Sequence, residues 1–507
     1  MRTRLLHAGF GVLSTLVGVA AGHLVAAALE PASSPVLVVG STVIDLTPTP
    51  MKEWAIRQFG THDKTVLVGS VLAGVLLLAA VAGLLAQRRF AYGAALLVVL
   101  TAIPAVAALS RPGAEATDVL PSVAAALAGV ASLAWLERAA RPTPARGDGD
   151  GGADNGRRGV LVAGGVLAVG AVAMGGAGRW LTSYRTRSVV VDLPAAADPA
   201  PALPAGLDQR VPGISPFRTP VSDFYRVDTR LTLPLVDPDN WTLTIDGDVE
   251  REVTFTLDDL LAMPLIERDI TLTCVSNEVG GKYIGSTRWR GVRLTDLLDR
   301  AGIDGTGADQ ILSTDVDGMT ISTPLDVATD GRDAMIAVGM DGRSLPREHG
   351  FPARMVVPGL YGFVSACKWI TRMTLTTYAE QDAYWTQRDW ATDAPIKISS
   401  RIDTPKPLAT VDPGRTVIGG VAWAQHQGGI TKVEVRVDGG PWQPARLGPT
   451  AGNDYWRQWY LPWTAEKGQH TLAVRATDGD GDVQTAARAT PFPSGSTGIQ
   501  EIVVTVS

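Results

Sequence analysis

The feature that most constrains this chain is where its apolar residues lie. Nearly every long apolar run falls before residue 180. Five runs, at residues 5–29, 66–86, 90–109, 119–136 and 159–178, each approach the ~20 residues an α-helix needs to cross a bilayer. The fourth is mostly alanine, and Pro121 near its start suits a first helical turn. No small-residue cleavage site follows the first run, so it reads as a retained span and not as a signal peptide.

Short loops set orientation through their positive charge. With the amino terminus inside, the inner segments hold Arg2, Arg4, Arg88, Arg89, Arg138, Arg141, Arg146, Arg157 and Arg158, against Lys52, Arg57, Lys64 and Arg111 outside. That imbalance predicts an inside amino terminus, and five spans then put everything after residue 178 on the outer face. The loop 142–158 is a glycine-aspartate linker ending in Arg157-Arg158. The pair resembles a twin-arginine signal for exporting folded proteins, although Gly156 and Val160 depart from its pattern; an ordinary positive-inside anchor accounts for it equally.

The remainder divides by composition into a Pro/Ala-rich tether at 181–215, a mixed α+β region at 216–403, and a strand-rich region at 404–507. Residues 241–247 alternate as a strand ending in a turn. Thr256 and Asp259 form a capping box for a short helix, and Gly302 stops another begun near Thr295. No Gly-rich phosphate loop opens a helix, which argues against a Rossmann or P-loop domain. Short strands after residue 404, with Trp423, Trp442, Trp456, Trp459 and Trp463, predict a β-sandwich of the Ig-like kind, the tryptophans serving mainly as core. A net charge of −6, with no basic run interleaved with aromatics, argues against nucleic acid as a partner.

Within the mixed region, Thr271–Thr273 alternate in strand fashion, and Asn277 with Gly280-Gly281 then breaks the pattern. Cys274, one of two cysteines, sits between them. A thiol at a strand's end beside glycine-rich backbone is placed to meet a ligand; the same thiol would also serve as a small buried hydrophobe or half of a disulfide. Further on, His349 and Arg354 flank a turn and strand, and Cys367-Lys368-Trp369 follow.

Four segments in order, TLTCVSNEVGG, RWRGVRLTDLL, DGRSLPREHGFPARMVVPGLYG with CKWI, and the sandwich pattern from VEVRVDGGPW onward, resemble the sulfite-oxidase family of molybdopterin-dependent oxidoreductases, in a membrane-anchored bacterial form. The resemblance runs from about Phe224 to the end. It implies Mo-molybdopterin as cofactor, Cys274 as the metal's thiolate ligand, and His349, Arg354 and Lys368 as its pterin and phosphate contacts. It also implies Trp289 beside a substrate pocket, Arg226 facing the metal, and a homodimer through the sandwich. Soft thiolate and charge-assisted donors suit a metal and an anionic cofactor.

The departures concern the substrate. Glu278 and Val279 stand where sulfite oxidases carry arginines, and Met319 is nearest the position of their active-site tyrosine. A carboxylate there repels an anion, so the reading stays open between sulfite-type oxidation and reduction of sulfoxides or N-oxides, with a non-catalytic surface binding protein that has lost the cofactor as the alternative from another class. His7 and His23 lie at opposite ends of the first span and cannot pair at one haem, so electrons pass through a partner or a quinone.

Overall fold

The computed structural model describes every residue except 1, 49–50, 52–53, 55–57, 60–62, 112–113, 142–151, 188 and 229. Most of the linker, with Arg146, and the loop residues Lys52 and Arg57 lie outside the described residues, as does the side chain of Arg157. The chain forms two compact units, residues 1–187 with 229–235, and residues 188–228 with 236–507.

The first unit is helical: α1 (Arg2–Ala28), α2 (Pro35–Leu46), α3 (Asp63–Arg88), α4 (Phe90–Leu109), α5 (Leu120–Ala139) and α6 (Gly152–Arg185). Among the described residues, five helices are long and apolar enough to cross a membrane, namely Thr3–Ala28, Lys64–Arg88, Phe90–Leu109, Ala116–Ala139 and Arg158–Arg185. The twelve-residue α2 falls short of that length. Helix α1 is central, packing on α3, α5 and α6. Small residues permit this. A Cβ on Gly11 would strike the Ala79 carbonyl, one on Gly83 the His7 carbonyl, and one on Gly18 would lie 2.6 Å from the Ala125 oxygen. Outward faces stay apolar, with Leu77, Val106, Leu127 and Val172 exposed. Residues 229–235 join this unit, where Lys64 Nζ donates to the Arg230 carbonyl at 2.6 Å.

The second unit begins with an extended stretch and then strands β1 (Thr242–Gly247), β2 (Val253–Thr256), β3 (Leu265–Thr273), β4 (Ile284–Arg293), β5 (Gln310–Asp315), β6 (Thr320–Pro324), β7 (Met335–Met340), β8 (Arg343–Ser344), β9 (Arg354–Val356) and β10 (Ile370–Thr376). They form two sheets, ordered β2-β1-β10-β5-β6 and β3-β4-β7-β8, with β9 pairing β7. Short helices punctuate them. Thr256 and Asp259 close the capping box of Leu257–Ala262, and Gly302, at φ 74°, ends Leu294–Ala301. In the β3–β4 hairpin, Glu267 faces Arg290 and Asp269 faces Arg288, each with an ion pair at 2.7 Å, so charge fixes the register.

The Pro/Ala-rich stretch is held against this sheet. Ala197 and Asp198 donate to the Leu265 carbonyl, and Glu267 donates back to Asp198, adding a short parallel bridge to β3. Asp198 Oδ2 accepts from Arg268 at 2.6 Å and Arg293 at 3.0 Å, while Arg290 reaches the Pro194 carbonyl at 2.8 Å.

The last strands are β11 (Ser399–Thr404), β12 (Thr410–Val411), β13 (Gly414–Trp423), β14 (Ile430–Val437), β15 (Gln443–Pro444), β16 (Arg446–Leu447), β17 (Arg457–Ala465), β18 (Gly468–Asp478) and β19 (Gln500–Val506). Two sheets, β11-β13-β17-β16 and β12-β19-β18-β14-β15, face each other over Ile418, Val435, Trp459, Leu472 and Val504. The tryptophans divide by surroundings. Trp459 fills this core, whereas Trp423 and Trp456 pack into the core of the preceding sheets. Trp442 is no core residue: it lies between Arg436 and Arg475, 4.7 and 4.4 Å from its ring, because β14 and β18 present those guanidinium groups on their outer face.

Candidate functional site

Cys274 directly follows β3. Its amide donates to the Tyr283 carbonyl at 3.0 Å, and Asn277 closes the next turn, donating to the Cys274 carbonyl while its side chain accepts from Tyr283 N at 2.8 Å. Gly280 takes φ 79°, which a side chain would resist. From the sandwich, Ser496 Oγ donates to the Asn277 carbonyl at 2.6 Å. Upstream, Thr271 donates to the Asp454 carbonyl, Gln425 donates to the Thr271 carbonyl at 3.0 Å, and Trp456 N donates to Thr271 Oγ1 at 2.8 Å. The strand that ends in the cysteine is thus anchored by three sandwich residues. An adjoining cavity is lined by Asn277, Glu278, Tyr361, Ser399 and Trp423, with Cys274 outside its wall.

Cys274 and Cys367 are both buried free thiols. Burial pushes the Cys274 thiol up, and the Ser276 amide and hydroxyl with the charge of Lys368 pull it back. Such a sulfur becomes a thiolate when a metal takes the proton's place.

Arg354 and Lys368 stand side by side across an isolated antiparallel bridge, and Met355 N donates to the Cys367 carbonyl at 2.9 Å. Gly350, at φ 110°, makes room for them, since a Cβ there would lie 3.0 Å from Arg354 Cβ and 3.1 Å from Lys368 Cβ. Arg354 is buried, and among the described residues its guanidinium donates hydrogen bonds to main-chain carbonyls, those of His349 at 3.2 Å and of Met355 and Ala366 at 3.4 Å. Burial holds it down to about 10, and no carboxylate offsets that among the described residues. Lys368 is held down to about 8 by burial, with Asp228 at 3.2 Å working in the opposite direction. His349 is held down to about 4, first by burial and then by Arg354, so it is neutral; its Nε2 lies 3.3 Å from the Val221 carbonyl.

A buried guanidinium without a counter-ion, beside a buried lysine and a free buried thiol, fits an anionic, metal-bearing cofactor. Cys274, His349, Arg354 and Lys368 come together in this way. Arg226 lies at the rim, partly exposed and paired to Asp228 at 2.8 Å. Trp289 is completely buried, with its ring 5.0 Å from the Arg354 guanidinium and Nε1 donating to the Ile270 carbonyl, so it supports the arginine and does not line a pocket. Glu278 is exposed on the turn after the cysteine, and Met319 packs against the main core.

Two residues of the site escape sequence reasoning. Asp228, 5% exposed, bridges Lys368 and Arg226. Tyr225 stacks on Phe224 at 5.3 Å, and its hydroxyl lies near Gly362 and the end of β3 that precedes Cys274. The Phe224-Tyr225-Arg226 cluster stands out in the sequence, but only the folded loop shows which of the three faces inward.

Comparison with known proteins places this arrangement. Residues 230–385 match the family of the oxidoreductase molybdopterin binding domain. The human mitochondrial sulfite oxidase is 32% identical over 301 residues, covering 50% of this chain and 55% of that protein. The barley nitrate reductase [NAD(P)H] is 30% identical over 328 residues, 52% of this chain and 36% of that protein. This chain thus spans about half the length of the first of these relatives, or less. The sulfane dehydrogenase SoxCD of Paracoccus pantotrophus shares the fold, with a TM-score of 0.51 at 24% identity over 64% of this chain and 91% of that one. With its free cysteine, its buried cations and these relatives, residues 230–385 match an oxidoreductase molybdopterin binding domain, and the chain is similar to the sulfite oxidases over about half its length.

Proposed function

We propose that this chain is a membrane-anchored enzyme that adds one oxygen atom to a small, sulfur-bearing substrate while withdrawing two electrons from it, or the reverse, on the outer side of the cytoplasmic membrane. The observation that carries this reading is the buried Cys274 thiol beside the uncompensated Arg354. Cys274 would hold molybdenum, while Arg354, Lys368 and neutral His349 would bind the pterin and its phosphate. Bound there, the cofactor supplies the oxygen-atom transfer. Trp289 fixes the plane of Arg354, and Asp228 orients Lys368.

The five apolar helices support an anchor, and Arg157-Arg158 near the start of α6, just before its apolar run, supports export of the folded, loaded domain. The terminal sandwich is read as Ig-like and as the contact of a homodimer. Electrons would pass to a separate protein or a quinone. Glu278, exposed beside the site, favours a second direction, the reduction of neutral sulfoxides or N-oxides, because its charge repels a dianion.

The test is metal analysis followed by turnover. Protein made with ample molybdate should carry molybdenum and pterin, and Cys274→Ser should lose the metal and the activity. Sulfite with a dye acceptor, set against sulfoxides and N-oxides with a dye donor, should identify the direction. Wild-type protein without molybdenum would sink the reading.

A further inference from the structure

The phenol of Tyr225 has a defined position and, among the described residues, no hydrogen-bond partner. Its ring stacks on Phe224 at 5.3 Å and 19°. Phe224 is in turn pinned edge-on by Trp289 at 5.7 Å and by His349 at 5.5 Å. It also lies over Gly285, where a Cβ would come within 2.8 Å of its ring. The oxygen of Tyr225 lies over Gly362, 3.7 Å from where a Cβ would stand there; the carbonyl of Thr273, the residue before Cys274, is 3.8 Å from the same point. The phenol therefore sits next to the end of β3, which Cys274 follows.

Among the described residues, Tyr225 Oη makes no hydrogen bond, to Cys274 Sγ or to anything else. The ring is fixed by its neighbours, and the hydroxyl of this half-buried residue keeps its hydrogen-bonding capacity for water or a ligand.

We infer that Tyr225 is a substrate-contacting residue whose hydroxyl donates a hydrogen bond to the oxygen of an S–O-type substrate held beside Cys274. This rests on the functional reading above. The hydrogen bond is neutral, so it suits a polarised sulfur–oxygen bond without requiring an anion. It strengthens as negative charge builds on that oxygen, which puts its main effect on turnover rather than on binding. Arg226 is engaged by Asp228 at 2.8 Å.

The experiment uses the full-length protein and Tyr225→Phe, which keeps the stacked ring and removes one oxygen. Molybdenum and pterin contents and the thermal midpoint should match wild type. With dimethyl sulfoxide or sulfite, whichever the wild type turns over, kcat should fall roughly 10- to 100-fold with KM changed less than about threefold. The g-values of the Mo(V) electron-spin signal should also move. Full metal content with turnover within about twofold of wild type and an unchanged spin signal would overturn the inference and leave the functional reading standing. If Tyr225→Phe loses metal, Tyr225→Trp, which keeps a stacked ring, decides: metal retained with turnover restored overturns the inference, and metal retained with turnover still low supports it. Wild type devoid of molybdenum overturns both.

Discussion

Arg354 is the residue whose environment says most about what the site is for. A guanidinium surrounded by carbonyls, without a carboxylate, is a burden to the cofactor-free fold and an asset once an anion arrives. Arg354→Met should therefore act in opposite directions. Cofactor-free protein, prepared under molybdate starvation, should melt higher by the equivalent of ~1–3 kcal/mol. Molybdate-replete protein should retain at least about tenfold less pterin, because the charge-assisted contact is gone. A variant that loses stability in the cofactor-free form would mean that Arg354 is structural. The sequence makes Cys274 conspicuous because a strand and a glycine-rich turn bracket it. It leaves Tyr225 and Asp228 obscure, since their roles depend on how one irregular loop passes over β3 and Gly362, and no local pattern encodes that path.

At the scale of elements, local signals carried well where the physics is local. The Thr256–Asp259 box and the left-handed Gly302 are fixed within a few residues of chain. The fate of Trp456 is not, because it joins the core of the preceding sheets and donates from Nε1 to the Phe217 carbonyl at 2.7 Å. Gly350→Ala tests the turn between the two cations. Its φ of 110° and the crowding against Arg354 and Lys368 should cost ~1–3 kcal/mol and lower cofactor content, read by thermal melting and pterin fluorescence. The β18 strand offers a pH test. His470 is raised above its usual value, first by its hydrogen bond to Asp438 at 2.7 Å. Its folded pKa exceeds the unfolded one, so its stabilisation is complete below about pH 6.5 and fades as pH rises through the folded value. His470→Gln should lower the melting temperature at pH 6 by an amount worth ~0.2–1 kcal/mol, and by much less at pH 9. Equal loss at both pH values would refute the charge argument.

For the whole molecule, the apolar runs announce the five long helices, whereas α2 escapes notice because its twelve residues, rich in Val and Leu, resemble any buried segment. Changing Arg157 and Arg158 to lysine should leave the second unit protected from protease added to intact cells, and wild type should be cleaved. Cleavage of both alike would argue against twin-arginine export. The strap at 189–204 carries one more consequence. β3 is an edge strand, and Ala197 and Asp198 cover its first residues while Asp454 and Gln425 cover the end near Cys274. A protease cut before Ala197 would release a domain that takes its own cover with it. A cut after Asp198 would release the same domain with β3 uncovered, a template for pairing with another copy. Where the strap is cut thus decides between a well-behaved soluble enzyme and a self-associating one, a difference of a few peptide bonds.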